Sequence, residues 1–215
     1  STDNITAFTE GLISASSLSL GSDNVSGTYY TIWGGLTPSD GCINSSAAVS
    51  TYSSGGSPSI PSSTDGTSSI KIEMSLTSST SATQTVYFYS DNSCATLMGY
   101  HQYRINNIIV GRRVSGLTTS DVNGTSRPGS AYQVSFDKYE IATKALTPAA
   151  KTFLDNKFSI THTINERHIT QSYDRKETLW ATRTISSNSV FYIGCQRCST
   201  YPTDWQYYDD ISFQP

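Results

Sequence analysis

Three residues in one short stretch, His162, Glu166 and His168, are of the types that ligate a transition metal. On a continuous strand the even-numbered residues from 160 to 170 share a face, so two imidazoles and a carboxylate would form one strip. Same-face neighbours lie about 6.6–7 Å apart, which sets His162 and His168 about 20 Å apart, too far for a single ion. Only a turn at Asn165-Glu166 brings them together. Without it they are polar positions on the wet face of a sheet, and no metal is expected.

The four cysteines are Cys42, Cys94, Cys195 and Cys198. A redox-active Cys-x-x-Cys opens a helix, whose N-terminus lowers the thiol pKa. Here no helical pattern follows Cys198, and Gly194 and Pro202 mark a loop. A zinc site needs two further ligands, and no second Cys-x-x-Cys or His-x-x-x-His accompanies this one. Disulfides remain. Three pairings are possible, and Cys42–Cys94 with Cys195–Cys198 is the favoured one. An even count in a chain rich in Ser, Thr, Asn and Tyr suits an oxidising, extracytoplasmic compartment.

The familiar catalytic motifs are missing. There is no Gly-x-Ser-x-Gly elbow, no phosphate-binding glycine loop, no Gly-x-Gly-x-x-Gly and no His-Glu-x-x-His. No enzymatic activity and no cofactor are therefore expected. Tyrosine is the more informative residue, with 14 copies. Tyr29, Tyr30, Trp33, Tyr87, Tyr89, Tyr100, Tyr103, Tyr192 and Trp205 recur on or beside candidate strands. Their flat faces and polar tips suit sugars, amphipathic ligands and protein interfaces, although Tyr is also a good strand former at half-buried positions.

The elements that must carry these residues show period two. Ile70, Ile72, Met74 and Leu76 alternate with Lys71, Glu73 and Ser75, the pattern of a half-buried strand. In 83–91, Val86 and Phe88 fall on one face, Tyr87 and Tyr89 on the other, and the turn signal at 77–82 joins the two strands as a hairpin. Further strands are expected at 27–34, 47–52, 95–104, 106–114, 130–141, 159–164, 168–173, 178–185, 189–194 and 205–213. A short helix is expected at 147–155, with Thr147 as N-cap and Pro148 at N1. One or two helical turns fit 7–13. Residues 1–26 read as an N-terminal extension. Residues 27–215 read as one all-β domain, interrupted by a Ser/Gly/Pro-rich loop at 53–69.

Composition bounds the function. The chain has 215 residues, of which only 14% are charged, while Ser and Thr together number about 65. No apolar run reaches the length of a membrane helix, so no transmembrane segment is expected. A net charge of −3 argues against a nucleic-acid partner. All 14 Lys and Arg lie at or after Lys71, leaving the first 70 residues with five acids and no base. The N-terminus lacks a basic stretch followed by an apolar one, as expected for an already processed exported chain.

Gly27-Thr-Tyr-Tyr-Thr-Ile-Trp33 followed by Cys42, then Val86-Tyr-Phe-Tyr-Ser-Asp91-Asn-Ser-Cys94, then Tyr201-Pro-Thr-Asp-Trp205, resemble segments of small bacterial lipoproteins with a lipocalin-like barrel. The resemblance implies an antiparallel barrel and a Cys42–Cys94 bond. A β-sandwich or jelly roll is the alternative fold. The functional expectation is an extracytoplasmic protein that holds a small amphipathic molecule in an aromatic-lined barrel mouth near Trp33, Tyr87, Tyr89 and Trp205. The alternative is a cell-surface adhesion or structural subunit making protein–protein or glycan contacts, with self-association possible.

Overall fold

A computed structural model of the chain describes residues 18–31, 41–44, 60–76, 78–119, 121–122, 125–185, 188–195, 198–205 and 211–214. The expected strand at 47–52, the helical turns at 7–13 and Trp33 lie outside them. The strands are β1 (Ser19–Leu20), β2 (Asp23–Asn24), β3 (Gly27–Thr31), β4 (Ser69–Leu76), β5 (Ala82–Tyr89), β6 (Leu97–Asn106), β7 (Ile109–Ser115) and β8 (Asp121–Val122). They continue as β9 (Thr125–Ser126), β10 (Ser130–Phe136), β11 (Lys138–Ala145), β12 (Arg167–Tyr173), β13 (Lys176–Ile185), β14 (Asn188–Ile193) and β15 (Ile211–Gln214). One helix, α1 (Pro148–Phe158), interrupts them.

Every pairing is antiparallel, so the all-β expectation is met. Eleven strands form one sheet in the order β12-β11-β6-β5-β4-β3-β15-β14-β13-β10-β7. That order is open, with β12 and β7 at its ends.

The alternation in β4 explains the core. Ile70, Ile72, Met74 and Leu76 are all buried, and their register partners Phe88 and Val86 on β5 face the same way. Trp180, Phe88, Phe136, Phe191, Met74 and Leu76, each under 2% exposed, fill this inner face. Among the described residues, this part of the inner face is given to packing. Helix α1 packs against the same core through Ala150 and Leu154, one turn apart, and sets the Phe153 ring 6.1 Å from Phe88. Its start obeys the expected capping: Thr147 accepts a hydrogen bond from the Ala150 N–H at 3.2 Å, and Pro148 opens the first turn. The helix runs three residues past the expected end, because Ser159, in the left-handed conformation, terminates it only there.

Several boundaries differ from the sequence reading. Leu18, Leu20 and Val25 are buried in the main core, so part of the expected extension at 1–26 belongs to the domain. A two-strand hairpin, β1–β2, carries them. The loop at 53–69 buries Ile60 and Thr67 and contains a 3-10 turn at Ser63–Asp65. Residues 159–164 are not a strand: after the left-handed Ser159, the His162 side chain turns inward and breaks the alternation. Trp205 likewise lies in a loop, not at the head of a strand.

Both disulfides are those favoured from the sequence. Cys42 joins Cys94 with Cα atoms 6.0 Å apart, and Cys195 joins Cys198 at 5.6 Å. The first ties the loop before the Ile43–Ile70 bridge to the β5–β6 turn. Asp91 organises that turn, its carboxylate accepting from the N–H groups of Ser93 (3.1 Å), Ala95 (3.1 Å) and Thr96 (2.7 Å), and from the Ser93 hydroxyl. The Ser93 hydroxyl and the Thr96 N–H hold the Asp91 carboxyl down at about 2. Among the described residues no helix is long and apolar enough to cross a membrane. Two disulfides are compatible with an extracytoplasmic protein.

Candidate functional site

Two clusters have the residue types of a functional site, one inside the sheet and one outside it. The inner one collects all three histidines around Thr143. In the strand register Thr143 of β11 stands opposite His101 of β6 and His168 of β12. The turn on which their meeting depends is present, with Asn165 in the left-handed conformation (φ 70°), and it brings the His162 and His168 rings to 5.0 Å. The His162 Nε2 meets the Thr143 hydroxyl at 2.5 Å, and its Nδ1 lies 2.7 Å from Asp155 Oδ1. His168 Nε2 accepts from the Thr163 N–H at 3.1 Å, which places the ring proton on Nδ1.

Hydroxyl, imidazole and carboxylate in this order are the parts of an acyl-transfer triad. Thr143 and His162 are only 0% and 1% exposed, however, so neither meets a solute. The relay acts as a clamp that fastens the 159–166 loop to α1 and β11. Glu166 points to solvent, and among the described residues no group of three His, Cys, Asp or Glu is placed to hold a metal.

Asp155 is the keystone of that clamp. Burial pushes its carboxyl up, but hydrogen bonds from Lys151, from the His162 N–H at 2.6 Å and from the imidazole outweigh it and bring the value to about 2. A carboxyl with a depressed folded pKa stabilises the fold above its ordinary value, near 3.8, and loses that contribution as pH falls through about 2. Asp155→Asn is therefore expected to cost about 1.5–3 kcal/mol at neutral pH, the range for a hydrogen bond to a charged group. The gap between wild type and variant should close between pH 4 and pH 2 in paired thermal melts. An unchanged gap across that window would remove Asp155 from this role.

The outer cluster is a face of tyrosines. Tyr30 lies on β3, Tyr87 and Tyr89 on β5, and Tyr100 on β6. Alternation turns Tyr87 and Tyr89 away from the core that Val86 and Phe88 enter, as the pattern in 83–91 predicts. Tyr87 and Tyr100 are direct register partners, with ring centroids 6.0 Å apart and edge-to-face. Lys71, the partner of Tyr87 on β4, lies 5.9 Å above the Tyr30 ring. Gly41 is needed beside that ring: its φ is +74°, and a Cβ there would come within 2.4 Å of the Tyr30 ring carbons. Tyr30, Tyr87 and Tyr100 are half-buried, whereas Tyr89 is nearly covered. Burial first, then the neighbouring Tyr87 and Glu73, raise the Tyr89 hydroxyl to about 12. Burial also raises Glu73, against the pull of Lys71, and raises Tyr87.

Of the expected ligand residues, Tyr87 and Tyr89 therefore share this face, and Trp205 does not. Trp205 is buried with Leu117, Ala131, Leu179, Ala181 and Tyr192 in a separate cluster. Its Nε1–H donates to the Pro128 carbonyl at 2.8 Å. The Asp204 carboxylate beside it accepts from the Thr118 N–H at 2.8 Å and from the Thr118 hydroxyl. Trp205 is thus a pin between two loops. Sequence reasoning does not single out Tyr30 and Tyr100 from the other tyrosines, since only the pairing of β3, β4, β5 and β6 sets them beside Tyr87. No protein-family model matches the chain, and no curated protein matches it in sequence.

Proposed function

We propose that the chain is an extracytoplasmic, non-enzymatic binding protein with a lipocalin-like barrel, which holds a small amphipathic molecule or glycan on the outer tyrosine face. The carrying observation is the run of half-buried rings, Tyr30, Tyr87 and Tyr100, beside Lys71. Flat rings with polar tips on rigid strands give a large contact area at low entropic cost.

Barrel closure draws its support from the strand breaks. Only Asn107 and Ile108 separate β6 from β7, only Asp137 separates β10 from β11, and only Asp174 and Arg175 separate β12 from β13. Register persists across these breaks. Lys138 opposes Asn106 and Ser135 opposes Ile109 on one side, while Tyr139 opposes Tyr173 and Phe136 opposes Lys176 on the other. Read as three bent strands, 97–115, 130–145 and 167–185 join β3, β4, β5, β14 and β15 in an eight-strand circuit. Each strand pairs with the next, and β15 pairs with β3. The crosslinked cysteines support an oxidising compartment for this barrel.

Titration of the full chain with short oligosaccharides, followed by tyrosine fluorescence, tests the binding role. Tyr87→Ala and Tyr100→Ala should each weaken binding about tenfold, the scale of one lost ring contact, with the melting behaviour of the fold retained. If no oligosaccharide binds and light scattering finds a stable oligomer instead, the protein is a surface subunit and the binding role falls.

A further inference from the structure

The tyrosine face sits in a row of cations, and that row has a direction. Following the register across β4, β5, β6, β11 and β12, Lys71 opposes Tyr87, Tyr87 opposes Tyr100, Tyr100 opposes Lys144, and Lys144 opposes Arg167. Directly paired residues in an antiparallel sheet project to the same face. Two rings are therefore bracketed by one cation on one side and two on the other. The row crosses four inter-strand steps of about 4.8 Å, or about 19 Å in all. That step is close to the repeat of a chain of pyranose rings.

Lys71 lies over the Tyr30 ring, and Lys144 and Arg167 stand at the other end of the row. Among the described residues, the ion pairs within 4 Å involve Lys151, His162 and Arg175, and none involves Lys71, Lys144 or Arg167. The acids nearby are Glu73, which neighbours Lys71 on β4, Glu140, which is buried and opposes Arg104 two same-face rows away, and Glu166, next to Arg167 in the chain. Burial raises the Glu73 carboxyl, and the charge of Lys71 pulls it back down. In a chain of net charge −3, three cations outside the salt bridges of the described residues, set along one aromatic row, form a local positive field.

From this juxtaposition we infer that the face takes an anionic glycan, a short run of uronic-acid or sulfated sugars. The sugar rings lie on Tyr87 and Tyr100, and their acid groups meet Lys71, Lys144 and Arg167. The inference rests on the binding role proposed for the tyrosine face and narrows its ligand class. Arg167 at the far end has the planar fork that matches a carboxylate or sulfate, and the two lysines act as point charges.

Calorimetric titration of the full chain with tetragalacturonate, with neutral maltotetraose and with a thymidine tetranucleotide separates the cases. Tetragalacturonate should bind at least tenfold more tightly than maltotetraose at 20 mM NaCl, and should lose most of that advantage at 300 mM as the charges are screened. Lys144→Gln combined with Arg167→Gln should cost about tenfold for the acidic sugar, two to fivefold per charge, and leave the neutral one unchanged. Arg167 is exposed and Lys144 half-buried, and circular dichroism melts check that the fold persists. Equal affinity for both sugars, with the double variant unaffected, would overturn the anionic preference while leaving a glycan site. Tighter binding of the nucleotide than of either sugar would overturn it in favour of a nucleic-acid partner. Binding of none of the three would overturn the inference together with the binding role.

Discussion

Trp180→Ala is expected to lower the unfolding free energy by about 3–5 kcal/mol, the range for removing a large aromatic side chain from a packed core. Trp180 is 0% exposed, its ring centroid lies 5.3 Å from Phe191 in an edge-to-face arrangement, and both belong to the main core. Its position also matters. Trp180 opposes Tyr132 of β10 and Ile193 of β14, so the hole would open where β13 meets two neighbours. In a domain of this size each kcal/mol moves the melting temperature by about 2–4 °C, so a fall of roughly 6–20 °C is the readout. Trp180→Phe provides the control. The indole Nε1–H has no hydrogen-bond acceptor among the described residues, and burying such a donor costs about 1–3 kcal/mol. Phenylalanine loses volume but removes that donor, so Trp180→Phe should cost clearly less than Trp180→Ala. Equal losses for the two substitutions would mean that the ring volume phenylalanine retains adds nothing, which would overturn the packing argument.

Breaking the Cys42–Cys94 bond is expected to be comparably damaging. The bond closes a segment of 52 residues, and the chain-entropy treatment assigns about 4 kcal/mol to a loop of that length. This segment holds much of the Ser/Gly/Pro-rich loop, which has few apolar groups with which to hold itself down. The Cys42→Ser, Cys94→Ser double variant should therefore shift the denaturant midpoint strongly, with tyrosine emission from the outer face changing first. Cys195 and Cys198 are three positions apart, and the loop they close is also pinned by the Cys198 carbonyl, which accepts from the Glu177 N–H at 2.9 Å. Their removal should cost much less. If the two double variants lose the same stability, the long crosslink is not constraining the unfolded chain as argued.

The alternation in β4 and β5 is legible in the amino-acid order alone, because a strand that buries one face must place apolar residues at every second position. Period two assigns Val86 and Phe88 to the inside and Tyr87 and Tyr89 to the outside, as observed. It fails at 159–164, where a left-handed Ser159 and the His162–Asp155 clamp replace strand geometry. It fails again at Trp205, whose burial depends on the Pro128 carbonyl, far away in the chain. Periodicity joins residues 130–141 into one strand. They run as β10 into β11 across a single residue, and the alternation by itself does not mark the break at Asp137.

What the amino-acid order determined by itself is local: the all-β class, the capped helix at Thr147, the inward and outward residues of β4 and β5, and the favoured pairing of the cysteines. These follow from dihedral preferences and side-chain period, which act within a few residues. What only the tertiary structure decided is which distant strands meet. Thr143 gains His101, His162 and His168, and Tyr87 gains Lys71 and Tyr100, through pairings between segments well separated along the chain. Such meetings depend on register and turn geometry summed over the whole sheet, and no local pattern in the chain encodes that sum.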